Sequence, residues 1–305
     1  MKAKLVVILG PTAVGKSELA LDVAAAIDGA IVNADSQQVY RYLDIGTGKP
    51  TLAERQRVAH FLIDIIDPDE EFNAALYSRL AIQSIEQIRL GKMNAIVCGG
   101  TGLYLKALTQ GLFEGPGQDA DIRRDLEQRI LVEGLAPLYR WLTEIDPSIT
   151  ATIHPNDRQR ILRALEVYQQ TGKRLSDWQT DHGFRERRFE MLKIGLNRQR
   201  GELYDLINRR CERMAEQGLL EEVRGLVARG YGLALKSLRS IGYRQMGRVL
   251  EGRQALLDAL EEMKRETRWL AKRQITWFRR DPDITWFHPE QKSEVIESVK
   301  MFLAR

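Results

Sequence analysis

Cysteine is nearly absent from this chain of 305 residues: Cys98 lies in an apolar stretch and Cys211 in a helical one. Two thiols cannot build a disulfide framework or a cysteine-based zinc site, and their scarcity suits the reducing cytoplasm. No segment approaches the ~18 uninterrupted apolar residues of a membrane helix, so a soluble protein without a membrane partner is expected. The N-terminal Met1-Lys2-Ala3-Lys4 runs straight into Leu5-Val6-Val7-Ile8-Leu9 and a glycine-rich loop, which a secretory leader would not do. Internal repeats and low-complexity tracts are lacking too. Neither sign of charge dominates: 46 Lys and Arg against 42 Asp and Glu leave +4, a bias that permits a polyanionic partner without requiring one.

What is present is an ordinary globular composition, 44% hydrophobic and 29% charged, long enough for a large α/β domain and a smaller module. Apolar runs at Leu5 to Leu9, Ala30 to Val32, Phe61 to Ile66 and Ala95 to Cys98 alternate with amphipathic stretches, the rhythm of a parallel sheet with crossover helices. After Gly115-Pro116-Gly117 the texture turns helical and charged, Asp121 to Glu133, then a helix capped by Asn156 or Asp157 that runs to Thr171 before Gly172. Phe189 to Leu196 reads as a strand returning to the sheet, followed by helices at Tyr204 to Gln217, Leu219 to Arg229 and Ala255 to Phe278. The expected layout is an α/β core, residues 1–112 and 189–305, interrupted by a helical insert, residues 113–188.

Between the first strand and the helical run Glu18 to Ile27 stands Gly10-Pro11-Thr12-Ala13-Val14-Gly15-Lys16-Ser17, a match to GxxxxGK followed by Ser or Thr. Glycines at this spacing let successive backbone N–H groups converge on phosphate oxygens at a helix N-terminus, while Lys16 adds a point charge and Ser17 a hydroxyl for magnesium. A P-loop alone suggests a nucleotide triphosphatase or kinase. Asp64, at the end of Phe61-Leu62-Ile63-Asp64, has the look of a magnesium-linked acid, but an aspartate before Asp67-Pro68 is as often structural. The central strand Ala95 to Cys98 ends in Gly-Gly-Thr-Gly rather than in an acid.

The strand Ala30 to Val32 ends in Asn33-Ala34-Asp35-Ser36-Gln37-Gln38, at the edge where open α/β sheets bind ligands. Asp35 is open to three roles: general base, magnesium ligand or helix N-cap. The carboxamides of Gln37 and Gln38 suit the edge of a nucleobase.

GPTAVGKS, NADSQQVYRYLDIGTGKP (Asn33 to Pro50), HFLIDIIDP (His60 to Pro68), GGTGLYLKAL (Gly99 to Leu108), HPNDRQRILRALEVY (His154 to Tyr168), SIGYRQM (Ser240 to Met246) and KRQITWFR (Lys272 to Arg279) occur in this order. Together they resemble the bacterial tRNA dimethylallyltransferases, also called isopentenyl-tRNA transferases. Eukaryotic relatives append a Cys/His zinc finger, which two cysteines cannot supply. The resemblance implies a P-loop NTPase-like core with an inserted helical tRNA-binding domain. It implies a cytoplasmic monomer that transfers a dimethylallyl group from dimethylallyl diphosphate to the exocyclic amine of an adenosine beside the anticodon of tRNA. It further implies that the P-loop, with Mg2+ on Ser17, grips the leaving diphosphate together with Arg210, for which Arg209 and Arg213 are the alternatives. Asp35 is then the base and Thr101 a contact to the reacting region.

For tRNA the resemblance carries Asp35, Ser36, Gln37, Gln38 and Thr101, with Arg123 and the segment Gln159, Arg160, Ile161, Leu162 and Arg163. Steps of ~100° place Ile161, Leu162, Leu165 and Tyr168 on one helix face and Gln159, Arg160, Arg163 and Glu166 on the other. Near the C-terminus, Arg265, Arg268, Lys272 and Arg279 form a basic stripe beside an apolar face of Met263, Leu270, Trp277 and Phe278. Arg268, Lys272 and Arg273 are expected on RNA.

Overall fold

Leu5, Val6, Val7 and Ile8 are all buried, because the strand they occupy, β1 (Ala3–Leu9), is covered on both faces, and such a strand reads as a continuous apolar run. The structure, a computed structural model, describes residues 2–112, 115–183 and 188–305. β1 pairs in parallel with β4 (Asn94–Gly99) on one side and β5 (Phe189–Leu196) on the other. β2 (Gly29–Asn33) pairs with β4, the two-residue β3 (His60–Phe61) with β2, and β6 (Ile284–Phe287) with β5. The sheet order is β3-β2-β4-β1-β5-β6, parallel throughout.

The chain divides into two compact units, Met1–Thr109 with Arg187–Arg305, and Gln110–Glu186. The sequence expectation placed the divisions at 112/113 and 188/189; residue 113 lies outside the described residues. In the first unit α1 (Lys16–Ala26) follows β1, α2 (Leu52–Arg57) precedes β3, α3 (Ala74–Leu90) leads into β4 and α4 (Gly102–Gln110) leaves it. The second unit holds α5 (Ala120–Glu133), α6 (Leu135–Ile145), α7 (Pro147–Thr150), α8 (Arg158–Thr171) and α9 (Leu175–His182) around Leu126, Leu138, Leu142, Ile161, Leu162 and Leu165. Asp157, not Asn156, caps α8 by accepting from the Arg160 amide, and Gly172 at φ 68° ends it. Back in the first unit come α10 (Arg200–Glu216), α11 (Leu219–Ala228), α12 (Tyr243–Leu250), α13 (Leu256–Phe278) and, after β6, α14 (Lys292–Ala304).

The expected strand Phe61 to Ile66 ends at Phe61. Leu62 and Asp64 take left-handed φ of 62° and 56°, and the remainder of the run bonds to the loop beyond β2 instead, Asp64 N to Gln38 O and Ile65 N to Val39 O. An apolar run is continuous with either arrangement, so periodicity could not separate them. β6, α2, α12 and α14 had no sequence expectation; α2 carries a complete Thr51/Glu54 capping box.

Candidate active site

Register decides which loops meet. Leu9 of β1 is level with Gly99 of β4, and Asn33 of β2 with Cys98 of β4. The turns after three adjacent strands therefore emerge together at the carboxyl edge of the sheet, carrying the P-loop, Asp35 and Thr101. The approach is close enough to demand glycine: a Cβ on Gly99 would sit 2.2 Å from the Ala34 carbonyl oxygen, and one on Gly10 2.7 Å from that of Leu196.

Within the P-loop, Ala13 takes φ 64° and Gly15 φ 105°. No side chain caps α1 at Gly15, so its first-turn N–H groups point to the loop's hollow without a side-chain acceptor. The Lys16 ammonium curls back to donate to the Pro11 carbonyl at 2.7 Å. Burial holds it down at about 8, against the opposing pull of the Asp35 carboxylate. A buried ammonium short of counter-charge is a ready partner for an anion. Burial likewise pushes the neighbouring Cys98 thiol up to about 11, which keeps it neutral.

Buried Asn33 shapes the turn after β2: its side chain accepts from the Asp35 amide and donates to Leu62 O at 3.1 Å. Asp35 Oδ1 then accepts from the Gln37 amide at 2.8 Å, an Asx turn, and no helix starts here, so the N-cap role is set aside. Among the described residues Oδ2 has no hydrogen-bond donor. Thr101 Oγ1 accepts from the Ser36 amide at 3.0 Å, which leaves the hydroxyl hydrogen free to donate.

These groups line one cavity of about 490 Å³, with Ser17, Gln37, Gln38 and, from α10 and α13, Arg210 and Arg273. Arg210 donates to the Thr47 carbonyl at 3.1 Å, whereas Arg209 and Arg213 are exposed and lie away from the cavity lining. Asp64 takes no part: its carboxylate is held by Lys49 at 2.5 Å and Arg55 at 2.6 Å. No group of three or more His, Cys, Asp or Glu suited to a metal occurs among the described residues. Sequence reasoning missed Gln274, which accepts from the Thr12 amide and donates to Gly100 O, both at 2.9 Å, tying the P-loop to the GGTG turn. Its only signal was its place inside KRQITWFR.

The residues expected on tRNA fare unequally. Ile161 and Leu162 are fully buried in the helical core, so their side chains offer a partner nothing, a correction to the expected contact segment. Glu166, placed on the polar face, is also fully buried: it accepts from the Asp119 amide and pairs with Arg123 and Arg163. Gln159 and Arg160 are exposed. On α13, Lys272 and Arg273 are exposed, Arg268 is tethered to Asn208 at 2.7 Å, and Trp277, expected on the apolar face, is 37% exposed where it passes over Gly102.

Residues 38–281 match the family model for IPP transferase. The chain is 51% identical over 283 residues to the tRNA dimethylallyltransferase of Syntrophobacter fumaroxidans, covering 93% of this chain and 83% of that protein. It is 48% identical over 304 residues to tRNA dimethylallyltransferase 2 of Geotalea uraniireducens, covering 99% and 98%. Among solved structures, the full-length tRNA isopentenylpyrophosphate transferase of Bacillus halodurans aligns with TM-score 0.74 at 38% identity, over 99% of this chain and 97% of that one. A eukaryotic dimethylallyltransferase acting on tRNA aligns with TM-score 0.76 at 30% identity, over 94% and 74%. A family model spanning most of the chain, and relatives near half identical along it, establish that this chain belongs to the IPP transferase family, the tRNA dimethylallyltransferases.

Proposed function

We propose that this protein transfers a dimethylallyl group from dimethylallyl diphosphate to the exocyclic amine of the adenosine beside the anticodon of tRNA, releasing diphosphate. The observation that carries the reading is the meeting of the P-loop, Asp35, Thr101 and Arg210 around one cavity. The bond from the allylic carbon to oxygen breaks, a carbon–nitrogen bond forms, and the amine gives up one proton.

An allylic carbon leaves its diphosphate readily because its charge is delocalised, so the site chiefly has to stabilise the leaving group and orient the amine. The P-loop amides, Lys16 and Arg210 supply positive potential for the diphosphate. The free hydroxyl hydrogen of Thr101 is available to the bridging oxygen, and Asp35 Oδ2 to the amine proton. With no protein cluster for a metal among the described residues, Mg2+ would be held by the Ser17 hydroxyl and diphosphate oxygens, supplying further charge to the leaving group. Kinase chemistry is disfavoured by Asp64, whose two oxygens are engaged by Lys49 and Arg55.

For the tRNA anticodon stem-loop, we assign Ser36, Gln37 and Gln38 to the acceptor base, Lys272 and Arg273 of α13 to the backbone, and Gln159 and Arg160 of α8 likewise. We take the protein to act as a monomer. No helix among the described residues is long and apolar enough to cross a membrane; the cytoplasm is proposed as the compartment because tRNA is the proposed substrate. Incubation with radiolabelled dimethylallyl diphosphate and unmodified tRNA, followed by mass spectrometry of the RNA, should show one added dimethylallyl group on that adenosine. Label on AMP in preference to tRNA, or phosphate transfer from ATP, would overturn the reading.

A further inference from the structure

DIGTGKP and SIGYRQM belong to the ordered series of motifs, yet neither supplies a group to the chemistry just described. The two meet at one carboxylate outside them. Glu222, in the first turn of α11, accepts from three consecutive backbone amides, Asp44 at 3.1 Å, Ile45 at 2.7 Å and Gly46 at 3.2 Å, and from the Tyr243 hydroxyl at 2.5 Å. Burial, with the Glu222 charge beside it, raises the Tyr243 hydroxyl well above its ordinary value, so it stays protonated and donates. An anionic carboxylate is an acceptor suited to such a nest of amides.

The loop so held packs closely at two glycines. A Cβ on Gly46 would lie 2.4 Å from the Tyr243 ring, and one on Gly48 2.3 Å from the Arg210 guanidinium, with Gly48 itself at φ 59°. The far side of the same loop is the immediate support of two cavity residues. Thr47 O accepts from Arg210, and Thr47 O and Gly48 O both accept from Gln38 Nε2, at 3.3 and 3.2 Å.

We propose that Glu222 is a positioning residue: by gathering the amides of residues 44–46 it sets the carbonyls of Thr47 and Gly48 where they aim Arg210 at the donor's diphosphate and Gln38 at the acceptor base. The proposal rests on the reading of Arg210 as a diphosphate ligand. It ties an acid on α11 to a glycine pair in one motif and a tyrosine in another.

The experiment is a double-mutant cycle on the full chain, with inorganic diphosphate and Mg2+ as the probe and calorimetry as the readout. Parent, Glu222→Gln, Arg210→Ala and the double variant are compared, each shown to be folded by its unfolding transition. Glu222→Gln keeps the size of the side chain but turns an amide against backbone N–H groups; it should weaken diphosphate about fivefold or more, the scale of coupling inside one hydrogen-bonded network. In the double variant the loss should be no greater than that of Arg210→Ala alone, because Glu222 acts through that arginine. Diphosphate affinity of Glu222→Gln within about twofold of the parent, or losses that multiply in the double variant, would overturn the proposal. If Glu222→Gln does not fold, Tyr243→Phe, which removes one donor of the four, is carried through the same cycle with the same criteria. Failure of the parent to prenylate tRNA would instead sink the functional reading, so the two can fail separately.

Discussion

Asp35 carries two oxygens with different tasks. Oδ1 is committed to the Gln37 amide and fixes the turn after β2, and in the proposed reaction Oδ2 takes the proton that the attacking amine must lose. Asp35→Asn retains the acceptor that shapes the turn and removes the base. Turnover should fall by about 10²-fold or more, the usual scale for a lost general base, while tRNA affinity stays within about threefold of the parent. Single-turnover kinetics beside filter binding checks both halves; unchanged turnover would remove Asp35 from the chemistry. Lys16 shows the complementary situation, an ammonium that burial depresses to about 8 and that an arriving diphosphate would restore.

The segment after β3 shows how an element is decided by its partners. Its apolar run leaves the sheet at Leu62, and Asp64 becomes the acceptor of Lys49, a lysine whose side chain is almost wholly buried, and of Arg55 from α2. Partial burial pushes the Asp64 carboxyl up, but hydrogen bonds from Lys49 and Arg55 and their charges outweigh it, leaving the carboxyl below its ordinary range. A carboxyl that is more acidic folded than unfolded contributes stability above its unfolded value. That contribution is lost as pH falls through the folded one. Asp64→Asn should therefore cost about 1–2 kcal/mol at pH 7, the scale of a charge-assisted hydrogen bond in a half-exposed setting. The gap from the parent should close as urea unfolding is repeated toward pH 3. A gap independent of pH would show that the ion pairs do not act in this way.

Across the whole molecule, net charge says little, since +4 is spread over 46 basic and 42 acidic side chains. Placement matters more: Arg123, Arg163 and Arg268 are taken up by internal partners, whereas Arg160 and Lys272 are exposed. Each phosphate neutralised adds roughly 0.7 to 0.9 to the slope of log affinity against log salt. Arg160→Ala and Lys272→Ala should each flatten that slope for tRNA by about this amount, with little effect on diphosphate affinity. A slope equal to the parent's would take the residue off the RNA face.

By itself the amino-acid sequence determined what local pattern can carry: the P-loop between strand and helix, the acidic and amide-rich turn after β2, the GGTG turn after β4, and the helical stretch between the two halves of the sheet. Glycines with left-handed φ, strand and helix periods and fixed spacings are all written within a few residues. Tertiary structure alone decided the rest. The β1–β4–β2 register brought Asp35 and Thr101 to the P-loop, α10 put Arg210 rather than Arg209 or Arg213 on the cavity lining, and packing buried Glu166, Ile161 and Leu162. Glu222 and Gln274 found their backbone partners across 176 to 178 and 174 to 262 positions of chain respectively. Contacts at such separations leave no period in the sequence, because they arise from which strands pair and which helix faces meet, and those are properties of the folded chain.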